Sequence, residues 1–520
     1  MSGQILFNYI PGTGLVEGGT FFEVNSGGQY APVNRFILIG FKTGAGVMAT
    51  DVAIPVASQQ QVDQLAGPGS MLREMYRVAV QNSPVLPIWI MAPSGNDTGL
   101  TKAVNTITIA GSLVVGQGTF EFCGETIQIP VGPTDTPTTI ATAIAAAINN
   151  YYNPLTGAML PATATSSAGV VTWTARNGGI TGNEIDVWVN PKILGNVFAI
   201  SGVWTAAQST AGAGSPTGNA AALAALGDSP ADVVVCPFSD STSLSSYTSW
   251  ANDNSGRWSW DRQSYGHVWC AAVNTYSGLT TLGGSTNNDR HTTVLGCFSP
   301  GANGTPHGSW LWIAAFAALT APWLFDITTG NVNRAQLGLV VQGIRPPRDA
   351  SVIPTYTARN SLVQTAISTW IVNAAGQVCV SKIVTTYLTG LSGQPDTTFR
   401  NVQAMYAIAG GLAFLRAGLA TMFGQRSLAQ SNPGNLGAIV TPSDIKGGFI
   451  SLYSQLANQG VFADPATFAS LLQVQINATN PDRVDVFCPV ELVNPFDILA
   501  ANATFYQQYP PQPAQVALAA

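Results

Sequence analysis

The sequence predicts a multidomain protein of mixed α+β and α/β class: an α/β main body, an inserted mostly-β domain, and extended N- and C-terminal arms. Three observations predict it. From Arg35 to Met91, short apolar runs alternate with a helical stretch. From Val104 to Asn190, short β-rich runs replace that texture, and α/β texture returns after Gly212. The segments at both ends are extended in character and have no local core to join. A chain of 520 residues exceeds one ordinary domain. It divides into an N-terminal arm (1–30), a main-body β-α-β segment (31–98), an inserted β-rich domain (99–192), an α/β middle domain (193–345), a C-terminal α+β domain (346–496), and a C-terminal arm and tail (497–520).

The elements follow from local signals. Thr20, Phe22 and Val24 alternate with Phe21, Glu23 and Asn25, as in a half-buried strand. Arg35 to Ile39 reads as an apolar strand ended by Gly40. A helix starts near Ser58, breaks at Gly67-Pro68-Gly69, and restarts behind Ser70, a good N-cap. Met71, Leu72, Met75, Tyr76 and Ala79 then share one helical face, and Leu86 to Met91 is a second strand. In the insert, strands are expected at 106–109, 119–122, 126–129, 170–174 and 185–189, with one Ala-rich helix capped by Thr136 and opened by Pro137. Further strands are expected at Asp232 to Cys236, Val268 to Ala272 and Thr293 to Leu295. Arg345-Pro346-Pro347-Arg348 reads as a boundary. Beyond it come a hairpin (Ile367 to Val372, Val378 to Ile383), a long helix from about Thr398 to Phe423, a helix from about Pro442 to Asn458, and a strand near Val484 to Phe487.

Composition narrows the function. Hydrophobic residues make up 46% of the chain, enough for several cores, while charged residues make up only 9% against about 25% in a typical soluble protein. A weakly charged surface is poorly protected against self-association, which suits a protein covered by copies of itself. A net charge of −6 argues against sequence-independent nucleic-acid binding, which needs a basic face. The six scattered cysteines form no CxxC and read as buried free thiols. The start of the chain lacks a basic region leading into an apolar core, so no secretory signal is expected. The apolar runs Trp310 to Phe325 and Ala404 to Phe423 read as buried helices of a protein without membrane insertion.

No catalytic, cofactor-binding or metal site is expected. The loop from Gly212 to Gly218 leads into a helix as phosphate loops do, but it lacks the lysine of a P-loop. His267 with Cys270, and His291 with Cys297, fit a zinc inventory loosely. Asp228, Asp232 and Asp240 bracket a strand end, where α/β enzymes keep carboxylates, yet no matching base or nucleophile accompanies them.

The ordered residues resemble a known family. Gly67-Pro-Gly-Ser-Met-Leu72 followed by Pro87-Ile-Trp-Ile90, Thr174-Ala-Arg-Asn-Gly-Gly179 with Gly182-Asn-Glu-Ile185, Gly256-Arg-Trp258, Tyr265-Gly-His267, Arg345-Pro-Pro347, Ile383-Val-Thr-Thr-Tyr387, Ile439-Val-Thr-Pro442 and Asn480-Pro-Asp-Arg483 resemble the tail sheath proteins of contractile, Mu-type bacteriophages. The resemblance covers nearly the whole chain, and the Pro/Ala-rich tail after Tyr509 departs from it. It implies a structural subunit, not an enzyme, that forms stacked hexameric rings helically around a tail tube. The implied partners are other copies of itself, the tail tube protein, and baseplate and tail terminator proteins. The implied location is the virion, after assembly in the host cytoplasm. It further implies a tube-facing inner layer in the C-terminal domain, with Lys446, Gln455 and Asn458 toward the tube. Subunits that slide past one another need a tether, and strand addition to a neighbour's sheet supplies one. The expected intersubunit residues are therefore Thr20, Phe21, Phe22, Glu23, Val24 and Asn25 of the first arm, Ile498, Leu499, Phe505 and Tyr506 of the second, and Val378 and Val380 of the receiving hairpin. The alternatives are the sheath of a tailocin or secretion-type injection system and, from another class, an α/β nucleotide-binding enzyme or hydrolase.

Overall fold

The computed structural model describes residues 34–503 except 190, 192, 202–203, 285–287 and 299–303, together with residues 505 and 507. The main body begins with β1 (Phe36–Ile39), an edge strand β2 (Ile54–Val56), helices α1 (Gln59–Ala66) and α2 (Met71–Asn82), and β3 (Ile88–Met91). Ser58 and Ser70 cap the two helices, accepting from the Gln61 and Arg73 amides. The strand at 54–56 is an addition to the sequence reading. It runs antiparallel on β3 and closes that edge of the sheet.

The insert contributes β4 (Val104–Ile109), β5 (Gly116–Phe122), β6 (Glu125–Val131), α3 (Pro137–Asn149), β7 (Ala162–Ser167), β8 (Val170–Ala175), β9 (Val187–Trp188), α4 (Val197–Ser201) and β10 (Trp204–Thr210). They form a four-stranded antiparallel sheet, β10-β4-β8-β7, and a three-stranded one, β6-β5-β9. Helix α3 buries Ile140, Ile144 and Ile148 against both, and Phe122 meets Trp173 edge-on between them at 5.3 Å. Strand β10 lies beyond residue 192, so the insert's larger sheet closes across the end expected for that domain.

The body resumes with α5 (Asn219–Ala225), β11 (Val233–Val235), α6 (Ser241–Ala251), β12 (His267–Asn274), α7 (Tyr276–Gly284), β13 (Thr292–Phe298) and α8 (Ser309–Leu324). The resulting six-stranded sheet has the order β13-β12-β11-β1-β3-β2 and is parallel except for β2. Phe36 stands between Val233 and Ile88. All residues of β1, β11 and β13 are buried, as a parallel sheet covered on both faces requires. Helix α8 is apolar nearly all round and packs on β12 and on α2.

The rest comprises α9 (Tyr356–Gln364), β14 (Thr369–Val372), β15 (Val378–Lys382), α10 (Val402–Phe423), β16 (Ser427–Leu428), β17 (Ile439–Val440), α11 (Pro442–Asn458), α12 (Pro465–Leu471), β18 (Gln473–Ile476) and β19 (Val484–Phe487). Helix α10 is long and apolar enough to cross a membrane by length and composition. It was expected to be buried, but only its first half is. Val402 to Ala407 is covered, while Leu412, Arg416 and the last turns are exposed. Close packing along α10 relies on glycine: a Cβ at Gly411 would lie 2.3 Å from the Phe462 ring.

Ionic ties join insert and body. On α2, Glu74 bridges Arg73 and Arg77, and Arg73 also holds Asp63 at 2.8 Å. Two insert backbone groups complete the cluster: the Gly157 carbonyl accepts from Arg73, and the Met159 amide donates to Glu74. Arg348, inside the stretch read as a boundary, pairs with Asp186 at 2.5 Å and Glu121 at 3.2 Å. Glu184 accepts from the Ser309 amide at the start of α8 at 2.6 Å. Its carboxyl sits deep although the residue keeps some exposure, and burial pushes its pKa up to about 7. The folded state therefore binds this proton more tightly than the unfolded chain. Stability from this group is full below about pH 4.5 and is lost as pH rises through about 7. Glu184→Gln keeps the acceptor and removes the charge. Thermal melts should show no gain at pH 4.5 and a gain of roughly 1–3 kcal/mol at pH 8. Equal effects at both values would count against the assignment.

Candidate assembly surfaces

The C-terminal hairpin pairs Trp370 with Val380, Ile371 with Cys379 and Val372 with Val378. It extends the body: Ser368 bridges Leu295 of β13, and the Ser368 amide donates to Val294 O at 2.8 Å. Trp370 is buried against Trp312 and Phe298, and its indole donates to Gly296 O. This corrects the expectation for Val378 and Val380. Both side chains are fully buried in their own subunit. Their outward backbone groups are also taken, because Val341 N donates to Val378 O, and Val380 exchanges bonds with Leu339 and Gly338. The outer side of β15 is thus covered by residues 338–341. On β14, alternation aims the amide and carbonyl of Trp370 and Val372 away from β15. Among the described residues they meet no backbone partner. Trp370 itself is buried, so only the half-buried Val372 leaves accessible backbone on this side of the hairpin.

The C-terminal segment leaves the fold beside this hairpin. Lys382 of β15 forms an ion pair with Asp497. Beyond it Ile498, Leu499 and Phe505 are 77%, 79% and 93% exposed, apolar side chains with little cover among the described residues. Thr20 to Asn25 and Tyr506 lie outside the described residues.

Helix α11 has the expected bounds because Thr441 and Asp444 form a reciprocal capping box and Pro442 opens the first turn. It buries Leu452, Tyr453 and Leu456 against α10, α12 and β18. Tyr453 stacks on Phe468 at 3.7 Å and donates to Ala463 O at 2.6 Å. Gln455 and Asn458 share the exposed face. Lys446, nine residues before Gln455, is about two and a half turns away and thus on the opposite side, half-buried. The three residues expected to face a tube do not form one patch.

No family model matches the chain. It is 27% identical over 518 residues to the Mu-like prophage FluMu tail sheath protein of Haemophilus influenzae, covering 96% of this chain and 99% of that one. The chain is thus similar to a Mu-like tail sheath protein along almost the full length of both. Among solved structures it is similar to the sheath tail protein of Desulfitobacterium hafniense (TM-score 0.47, 13% identity, 92% of this chain and 97% of that one). It is also similar to the sheath tail protein of Listeria innocua (TM-score 0.43, 12% identity, 88% and 92%).

Among the described residues of this chain, the places an α/β enzyme would use are filled or spent on structure. The sheet reverses strand order between β1 and β11, where such folds open a ligand crevice. Here Phe41 and Phe238 pack across it with ring centroids 4.9 Å apart, and Asn177 of the insert donates to Lys42 O and accepts from Met71 N. The Gly212 loop is stitched to the insert, with Ala213 bridging Thr101. Asp240 caps α6, Asp228 pairs with Arg262, and Asp232 accepts from the Arg35 amide. His267 bonds Thr293 Oγ1 at 2.8 Å, and His291 bonds Asp289. Among the described residues, no group of three His, Cys, Asp or Glu side chains could hold a metal.

Proposed function

We propose that this chain is the structural subunit of a contractile tail sheath. Copies polymerise as stacked hexameric rings around a tail tube, and contraction drives that tube through a host envelope. The subunit assembles in the host cytoplasm on the tube, between baseplate and tail terminator proteins, and ends up in the virion. The match to a tail sheath protein along almost the full length of both chains carries this reading. One feature of the fold supports it: the exposed apolar residues Ile498, Leu499 and Phe505, which a neighbour could cover. Negative-stain microscopy of the purified protein tests it. Cross-striated hollow cylinders are expected, and a protein that stays monomeric at every concentration and with tube present would overturn the reading.

The tube-facing surface is proposed on the C-terminal domain around α11. Since Lys446 lies apart from Gln455 and Asn458, its substitution separates two surfaces. Lys446→Glu should reduce tube-templated assembly at least several-fold while leaving tube-free polymerisation within about twofold, in line with contacts worth about 1 kcal/mol. Equal loss of both would place Lys446 between sheath subunits.

A further inference from the structure

A groove of about 590 Å³ opens between the start of the main sheet, the loop after α6 and the exposed half of α10. Its floor is apolar, with Phe325, Ile327, Ala413 and Phe414. One wall is rigidly built. Arg257 is buried and donates to the carbonyls of Ser229 and Ser264 at 2.8 and 2.9 Å, fixing the loop that carries Trp260, Arg262 and Gln263. Trp260 is 82% exposed on that loop. Arg262 is matched by Asp228. Arg416, exposed at the groove, reaches only Gln263, at 2.6 Å, and has no carboxylate partner among the described residues. Tryptophan and arginine displayed on a preordered surface are residue types on which protein interfaces concentrate binding energy.

The complementary features stand on residues 491–499. This stretch is tied down twice: the Ala463 amide donates to Glu491 O at 2.8 Å, and Lys382 pairs with Asp497. Yet Phe496, Ile498 and Leu499 are exposed, and Glu491 is exposed with no cation partner among the described residues. Groove and stretch lie on different sides of α10. Ala413 and Arg416 line the groove, whereas Gly411, about 200° round the helix from Ala413, faces Phe462, and Phe462 bridges Leu492. A subunit's own stretch therefore faces away from its own groove. We propose that the groove binds residues 491–499 of a second copy, with Glu491 on Arg416 and Phe496, Ile498 and Leu499 over the apolar floor. The occupant is a second copy because this stretch carries the missing carboxylate beside exposed apolar side chains, held ready on the far side of α10. The proposal rests on the reading that copies of this chain polymerise, and it adds a contact to that reading. Each subunit offers one groove and one stretch on different faces, so the contact is head-to-tail and repeats from copy to copy.

Charge reversal tests this by sedimentation velocity. Arg416→Glu and Glu491→Arg, each alone, should raise the concentration at which copies associate at least about fivefold. Mixed in equal amounts, the two variants should associate within about twofold of the parent chain, because each groove then meets a stretch of opposite charge. Both positions are exposed, so melting temperatures should match the parent. Single reversals that leave association within about twofold would overturn the proposal. So would a mixture no better than its components, which assigns the groove to another occupant. Either result leaves polymerisation of the parent chain, and with it the sheath reading, intact. A parent chain that stays monomeric at every concentration, with and without tube, overturns both.

Discussion

Glu74→Gln should lower the stability of the main body by about 3–5 kcal/mol, because it leaves two buried guanidinium groups without their shared carboxylate. Arg73 is fully buried, Arg77 is nearly so, and Glu74 is 3% exposed. The Glu74 carboxylate bridges both arginines and also accepts from the Met159 amide of the insert. The loss is read as a fall in the first unfolding transition, since a chain of several domains need not unfold in one step. An apolar replacement of the trio, Arg73→Met with Glu74→Leu and Arg77→Met, should lose much less, because it removes the charges together. If Glu74→Gln shifts that transition by less than about 1 kcal/mol, the cluster is solvated in solution.

Removal of residues 2–26 should leave a folded, soluble subunit that forms no cylinders. The described fold begins at residue 34, and its sheet and hydrophobic core are built from residues after that point. Circular dichroism and melting temperature should therefore match the parent chain. Assembly should fall below detection, because the strand whose backbone hydrogen bonds would tie one subunit to the next is gone. Normal cylinders from the truncated chain would end the strand-donation model. A chain that fails to fold would show instead that the segment belongs to its own subunit's core.

Local chemistry made much of this fold readable in sequence. Ser58, Ser70, Thr136 and Thr441 announce their helices, and the apolar runs at 35–39, 232–236 and 293–295 announce strands that the structure shows at 36–39, 233–235 and 292–298. What was missed depends on cover from distant residues. Nothing local to α2 announces that Arg73, Glu74 and Arg77 are buried, because the groups that meet them, at residues 157–159, come from the insert. Strand β10 (WTAAQST) carries little apolar signal and is a strand because β4 offers it an edge. Val378 and Val380 were expected to receive a neighbour's strand as part of the hairpin, but residues 338–341 of the same subunit take their outward backbone groups. For the candidate surfaces, the exposed apolar run at Ile498 to Phe505 was readable because nothing nearby complements it. The faces of α11 follow from counting turns, which separates Lys446 from Gln455.

The cover that residues 338–341 lay over β15 limits the hairpin to a valence of one. Two incoming strands from neighbours cannot flank it, one on each side, as parallel branches. They would have to be wired in series, the second pairing with the first. Such a joint has an order of addition and an order of release: the outer strand leaves first, and pulling the inner one means disturbing both.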